Sequence, residues 1–137
     1  MTVLHQSTGA IRYTTNWLIL DTDHEICRYY RRLVPKHMDI RHQRYPGHIT
    51  VMRPEYETPP HKKELWGKHQ DRSVIFFYSP VIQWSDNYYW LNCFSVELEE
   101  IRLELGLSVN GSHTEPPEGF RKTFHMTIGN CKELDET

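Results

Sequence analysis

The sequence predicts an α+β protein made of two related halves. Three observations lead there. Short runs rich in β-branched and aromatic residues read as strands, two other stretches place apolar residues at helical spacing, and the same element order occurs twice. A chain of 137 residues is the size of one domain with one core. It is read as a single unit over 1–137, with repeat halves at roughly 11–56 and 73–130.

The segment Ile11 to Leu20 is dense in Ile, Thr, Trp and Tyr and reads as the opening strand. Asp21 or Asp23 can cap the helix that follows. Its apolar positions Ile26, Tyr29, Tyr30, Leu33 and Val34 recur at helical spacing, and Pro35 ends it. Pro46-Gly47 marks a turn, and His48 to Arg53 is a short strand stopped by Pro54. A polar stretch from Pro59 to Gln70 carries one helical turn near Leu65-Trp66. In the second half, Ser73 to Tyr78 and Val81 to Trp84 are strands, and a hairpin turn at Ser85-Asp86-Asn87 leads into the strand Tyr88 to Phe94. Ser95 caps a helix with Leu98, Ile101 and Leu105 on one face, and Gly106 stops it. Asn110 to Gly119 is a loop, and Arg121 to Ile128 alternates as a strand. The tail from Lys132 frays.

Composition narrows the function classes. The apolar and charged fractions, 38% and 25%, are those of a folded soluble protein. No apolar run is long enough to span a bilayer, and the first residues lack the pattern of a secretory signal. Cys27, Cys93 and Cys131, an odd number without paired spacing, read as reduced thiols, which points to the cytoplasm. A net charge of -2 argues against coating long nucleic acid. It leaves room for a small phosphate ester, which needs only a local positive field. The run Arg28, Arg31, Arg32, Lys36, Arg41 and Arg44 could supply that field, although a solvated helix face with a basic loop explains it equally well.

The chemistry concentrates in two places. His48-Ile49-Thr50 and His125-Met126-Thr127 each close one half. Alternation along a strand puts His48 and Thr50 on one face with Ile49 and Val51 behind, and does the same for His125 and Thr127 against Met126 and Ile128. A bare His-x-Ser/Thr is cheap, as His5-Gln6-Ser7 shows. Apolar backing and recurrence at matching places give these two their weight. Trp17 to His48 spans about 31 residues and Trp90 to His125 about 35, a difference the Pro-rich loop absorbs. Two imidazoles can take a proton from a ribose 2′-hydroxyl and give one to a leaving oxygen near neutral pH. Two threonine hydroxyls can donate to the phosphoryl oxygens as charge develops. Such a scheme uses no metal and no cofactor.

The paired motifs resemble the signature of the 2H phosphoesterase superfamily, which includes bacterial 2′-5′ RNA ligases and cyclic phosphodiesterases. The resemblance runs from about Ile11 to Asn130 by element order and is sharp at the two motifs. It implies a bilobal fold of mostly antiparallel sheets around a central cleft, with helices packed outside, and catalytic roles for His48, Thr50, His125 and Thr127. Short length, the Tyr13…Trp17 opening and the Gly47 to Val51 strand look most like the phage anti-CBASS phosphodiesterases. That likeness implies cyclic di- and trinucleotide immune signals such as cyclic GMP-AMP as substrates, in the cytoplasm of an infected host. An RNA-end 2′,3′-cyclic phosphodiesterase or ligase-like repair enzyme, or a non-catalytic nucleotide binder, would carry the same four residues.

Two further residues are candidates for holding substrate. Tyr13 can stack on a base, or pack as a rim tyrosine. Arg121 falls on the face of His125 if the strand begins there. Trp66, Trp84 and Trp90 read as core. The other histidines, His5, His24, His37, His42, His61, His69 and His113, show no metal-ligand spacing, so no metal site is expected.

Overall fold

The computed structural model describes residues 3–42, 45–53, 63–85, 87–110 and 114–131. The chain runs β1 (His5–Tyr13), β2 (Leu18–Asp21), α1 (His24–Leu33), β3 (His48–Met52), β4 (Ser73–Ser85), β5 (Tyr88–Phe94), α2 (Val96–Glu104) and β6 (Phe124–Asn130). Short 3-10 turns lie at Lys36–Met38 and Lys63–Leu65.

The opening strand proves to be two. Trp17 N–H donates to the Thr14 hydroxyl at 3.1 Å, and Thr14 N–H to the Trp17 carbonyl at 2.9 Å, folding 14–17 into a turn between β1 and β2. β1 begins at His5, earlier than composition suggests, because both its edges are paired: Ser7 lies opposite Phe76 of β4, and Ile11 opposite Leu20 of β2. Both helices begin as expected. The Asp23 carboxylate accepts from Glu25 N–H at 3.0 Å, and the Ser95 hydroxyl accepts from Leu98 N–H at 3.2 Å. Gly106, at φ +81°, turns the chain out of α2. The expected loop 110–119 and hairpin turn at 85–87 lie partly outside the described residues, and the tail from Lys132 wholly so.

The six strands close into a ring in the order β1-β2-β3-β6-β5-β4, each neighbour antiparallel. The α+β mixture and its antiparallel character are therefore present. The two lobes flanking a cleft are not. β4 is the reason. It is one 13-residue strand, so its first part pairs with β1 and the rest with β5, and a register shift between Tyr78 and Ile82 bends it around the corner. That continuity joins the halves into one barrel and leaves no free sheet edge between them.

One face of every strand meets a common core. Ile11, Leu20, Ile49, Met126, Leu91 and Phe76 are fully buried, one from each strand, and Tyr30 of α1 and Leu98 and Ile101 of α2 belong to the same cluster. Burial of that much apolar surface is the main stabilising term.

Contacts between helices and strands cross from one half to the other. α1, which precedes β3, packs on β6, whereas α2, which precedes β6, packs on β3 and β4. Arg31 of α1 donates through Nη1 to the Ile128 carbonyl at 3.1 Å, and Arg102 of α2 through Nη1 to the Val51 carbonyl at 2.6 Å. Ile128 and Val51 are the residues that follow Thr127 and Thr50. Each half thus sends an arginine to the same place on the other half's His-x-Thr strand. Among the described residues no helix is long and apolar enough to cross a membrane.

Candidate active site

β3 and β6 lie side by side with Ile49 opposite Met126. This register fixes everything else. Carried one residue to each side, antiparallel pairing sets His48 towards Thr127 and Thr50 towards His125, all four on the face turned away from the core. Ile49, Val51, Met126 and Ile128 are buried behind them, while His125 is exposed and His48, Thr50 and Thr127 are half-buried. The imidazoles stand diagonally across the strand pair. Diagonal neighbours of this kind are about 7–8 Å apart, a gap a phosphate group can enter.

The surrounding strands extend two rows across this face. Beyond His48 stands Asp21 of β2, and beyond Thr50 stands Ile19. Arg12 of β1 grips the Asp21 carboxylate through Nε at 2.7 Å and Nη2 at 3.1 Å. That bond holds the Arg12 guanidinium more firmly charged than usual. On the other side, Trp90 of β5 lies opposite Thr127, and Asn92 opposite His125. Trp90 Nε1–H donates to Asn92 Oδ1 at 3.0 Å. The indole and the His125 ring are 5.1 Å apart at an interplanar angle of 36°.

His48 is oriented by the chain just before it. Its Nδ1 lies 2.8 Å from the Pro46 carbonyl. A carbonyl only accepts, so Nδ1 carries the proton and Nε2 of the neutral ring presents its lone pair. The Tyr45 ring stands edge-on to it at 6.5 Å.

Tyr13 and Arg121 occupy other positions. Tyr13 ends β1 opposite Leu18, its ring edge-on to Trp66 at 5.0 Å and its hydroxyl accepting from His69 N–H at 3.3 Å. Burial pushes its phenol up from the usual value. It packs against the segment 66–70 and is not in these two rows. β6 begins only at Phe124, so strand alternation does not carry back to Arg121. The Glu99 carboxylate accepts from the backbone N–H of both Arg121 (2.8 Å) and Lys122 (3.1 Å), which holds that segment out of the ladder. Thr123 turns its hydroxyl to the Thr114 carbonyl at 2.9 Å.

The basic run is divided. Arg31 serves the barrel, and its burial lowers its pKa from the usual value. Arg28 pairs with Glu25 at 2.8 Å, and Arg41 with Asp39 at 3.5 Å. Arg44 lies outside the described residues. Among the described residues no three His, Cys, Asp or Glu side chains converge as a metal site would need.

Sequence reading missed Trp90, Asn92, Asp21 and Arg12. For the first two the signal was present: Leu91 and Cys93 are core residues, so alternation along β5 turns Trp90 and Asn92 to the side of the motifs. Of the other tryptophans expected in the core, Trp84 is exposed at 63% and Trp66 is half-buried. Comparison with protein-family models, with curated proteins and with solved structures gives no match in any of the three.

Proposed function

We propose that this chain is a phosphodiesterase of the 2H type that opens cyclic di- and trinucleotide signals and so blunts the CBASS defence that uses them. One observation carries the reading: the pairing of Ile49 with Met126, which turns both His-x-Thr pairs to one face of adjacent strands. A quartet of this kind can act on both sides of one phosphate. One imidazole takes the proton of the ribose 2′-hydroxyl as its oxygen bonds to phosphorus. The other protonates the departing 5′-oxygen as the P–O bond breaks, leaving a 2′,3′-cyclic phosphate and a free 5′-hydroxyl. The threonine hydroxyls donate to the non-bridging oxygens, where negative charge grows. The near-neutral chain favours a small cyclic substrate over a polymer.

The test is incubation, with EDTA present, against cyclic GMP-AMP and against a short RNA bearing a 2′,3′-cyclic end. Turnover of the cyclic dinucleotide is expected, with a loss of about a hundredfold or more in His48→Ala and in His125→Ala. Turnover of the RNA end alone would assign the protein to RNA repair. Binding without turnover would make it a nucleotide sink. A fully active His125→Ala protein would remove the two-histidine scheme.

A further inference from the structure

We propose that His24 is a positioning residue for His48, acting through the peptide that joins Pro46 to Gly47. The proposal deepens the phosphodiesterase reading above and rests on it for its kinetic consequence. Two imidazoles hold the two ends of that one peptide unit. On one side the Gly47 N–H donates to His24 Nδ1 at 3.0 Å. On the other the Pro46 carbonyl lies 2.8 Å from His48 Nδ1 and accepts its proton. A trans peptide is planar with its N–H and C=O pointing opposite ways, so fixing the first fixes the second. His24 thereby aims the acceptor that orients the His48 ring. The two bonds also reinforce each other, because a bonded N–H makes its carbonyl a better acceptor.

The surroundings fit this task. His24 is half-buried and opens α1 directly after the Asp23 cap, so a fixed element carries its ring. Thr22 N–H donates to the Gly47 carbonyl at 3.0 Å, which pins the following peptide unit separately. Gly47 permits the close approach: a methyl there would stand 3.0 Å from Thr22 Oγ1, 3.1 Å from Cys27 Sγ and 3.3 Å from His24 Cα. A glycine also lets the peptide before it turn over at little cost. Without the His24 bond, the Pro46 carbonyl can swing away from His48. A backbone N–H only donates, so His24 Nδ1 is bare and its neutral ring carries the proton on Nε2. His48 has the opposite tautomer. Whether His48 takes or gives a proton, its Nδ1–H stays on the carbonyl and its reacting atom is Nε2.

The experiment reads the ring nitrogen resonances of His24 and His48 by NMR at about pH 8.5, where imidazoles are ordinarily neutral. The proteins are the wild type, His24→Leu and His24→Asn, and kcat and KM for cyclic GMP-AMP are measured alongside. The wild type should carry Nε2–H at His24 and Nδ1–H at His48; one tautomer shared by both rings would overturn the proposal without any variant. Leucine removes the acceptor. His48 should then shift towards the Nε2–H form, with kcat lower by about tenfold and KM changed by less than about twofold. Asparagine sets Oδ1 where Nδ1 stood and should keep both the His48 tautomer and most of the rate. A His24 that merely supports the fold would lower Tm in His24→Leu and leave the His48 tautomer unmoved, which would sink the positioning role. If His24→Leu does not fold, the wild-type tautomers and His24→Asn still decide. A His48 tautomer that follows His24 in a protein that cleaves no cyclic dinucleotide removes the enzymatic reading and leaves the positioning standing.

Discussion

Replacing Arg102 by methionine separates the structural arginine of one half from that of the other. Arg102 is 3% exposed and donates through Nη1 to the Val51 carbonyl at 2.6 Å. Nε and Nη2 both reach the Ser108 carbonyl, at 2.9 and 2.5 Å. Methionine keeps much of the length and removes these bonds. Each buried carbonyl that loses its partner costs about 1–3 kcal/mol, and relief from burying a charge returns part of that. The net is a loss of about 2–4 kcal/mol. Arg31 reaches the Ile128 carbonyl at 3.1 Å from a half-buried side chain, where water can replace a lost donor, so Arg31→Met should cost less. For a chain of this size 1 kcal/mol moves Tm by about 4 °C. Arg102→Met is therefore expected to melt about 8–16 °C below the wild type. Urea unfolding followed by tryptophan fluorescence measures both variants, and repeating it in 1 M salt should leave the Arg102 loss intact because that contact is shielded from solvent. A loss under about 1 kcal/mol, or one no larger than that of Arg31→Met, would refute the assignment of Arg102 as the support of β3.

Three other outcomes are expected. Thr50→Val and Thr127→Val keep side-chain shape and should each lower kcat about a hundredfold with little change in Tm; an unimpaired rate in either would deny that hydroxyl a part in stabilising charge. The Glu104 carboxyl is held below its usual value by hydrogen bonds from Lys68 and His69, each at 3.0 Å. A depressed carboxyl stabilises the fold above its unfolded pKa and loses that as pH falls through its folded value. Glu104→Gln should then be less stable than wild type at pH 7 and converge with it in acid; a gap that persists at low pH would contradict this. Gly129→Ala would place a methyl 2.6 Å from the Arg41 carbonyl and 2.7 Å from Ile40 Cγ1. It is expected to lose about 1–3 kcal/mol by crowding and to part the Arg41–Asn130 backbone bridge, visible as faster amide exchange at those residues.

The parts of the fold set by local chemistry were legible. Asp23, Ser95, Pro35 and Gly106 mark the helix ends, and β3 and β5 follow from dense apolar runs. β1 was hidden because Gln6, Thr8 and Ala10 face solvent, so its strand character comes from pairing on both sides rather than from composition. Ring closure was hidden for a similar reason. It depends on β4 turning a corner between Tyr78 and Ile82, where Pro80 reads as a break between two strands and is instead a bend within one. The start of β6 was misread because a carboxylate 22 residues away, Glu99, claims the N–H of Arg121. For the site, alternation alone placed the His/Thr quartet on one face. Which residues stand beside it depends on strand order, and so Arg12, Asp21, Trp90 and Asn92 came only with the structure.

The crossed arginine contacts have a consequence for how this chain can be divided. A fragment ending between β3 and β4 would carry His48 and Thr50 on a strand whose supporting arginine, Arg102, had been left in the other fragment. The complementary piece would hold His125 and Thr127 without Arg31. Each holds the arginine that the other lacks. The pattern is that of two interlocked subunits tied into one polypeptide, in which the tether replaces a concentration-dependent association with an intramolecular one. Cutting the tether should make assembly second order without changing the shape of the assembled surface.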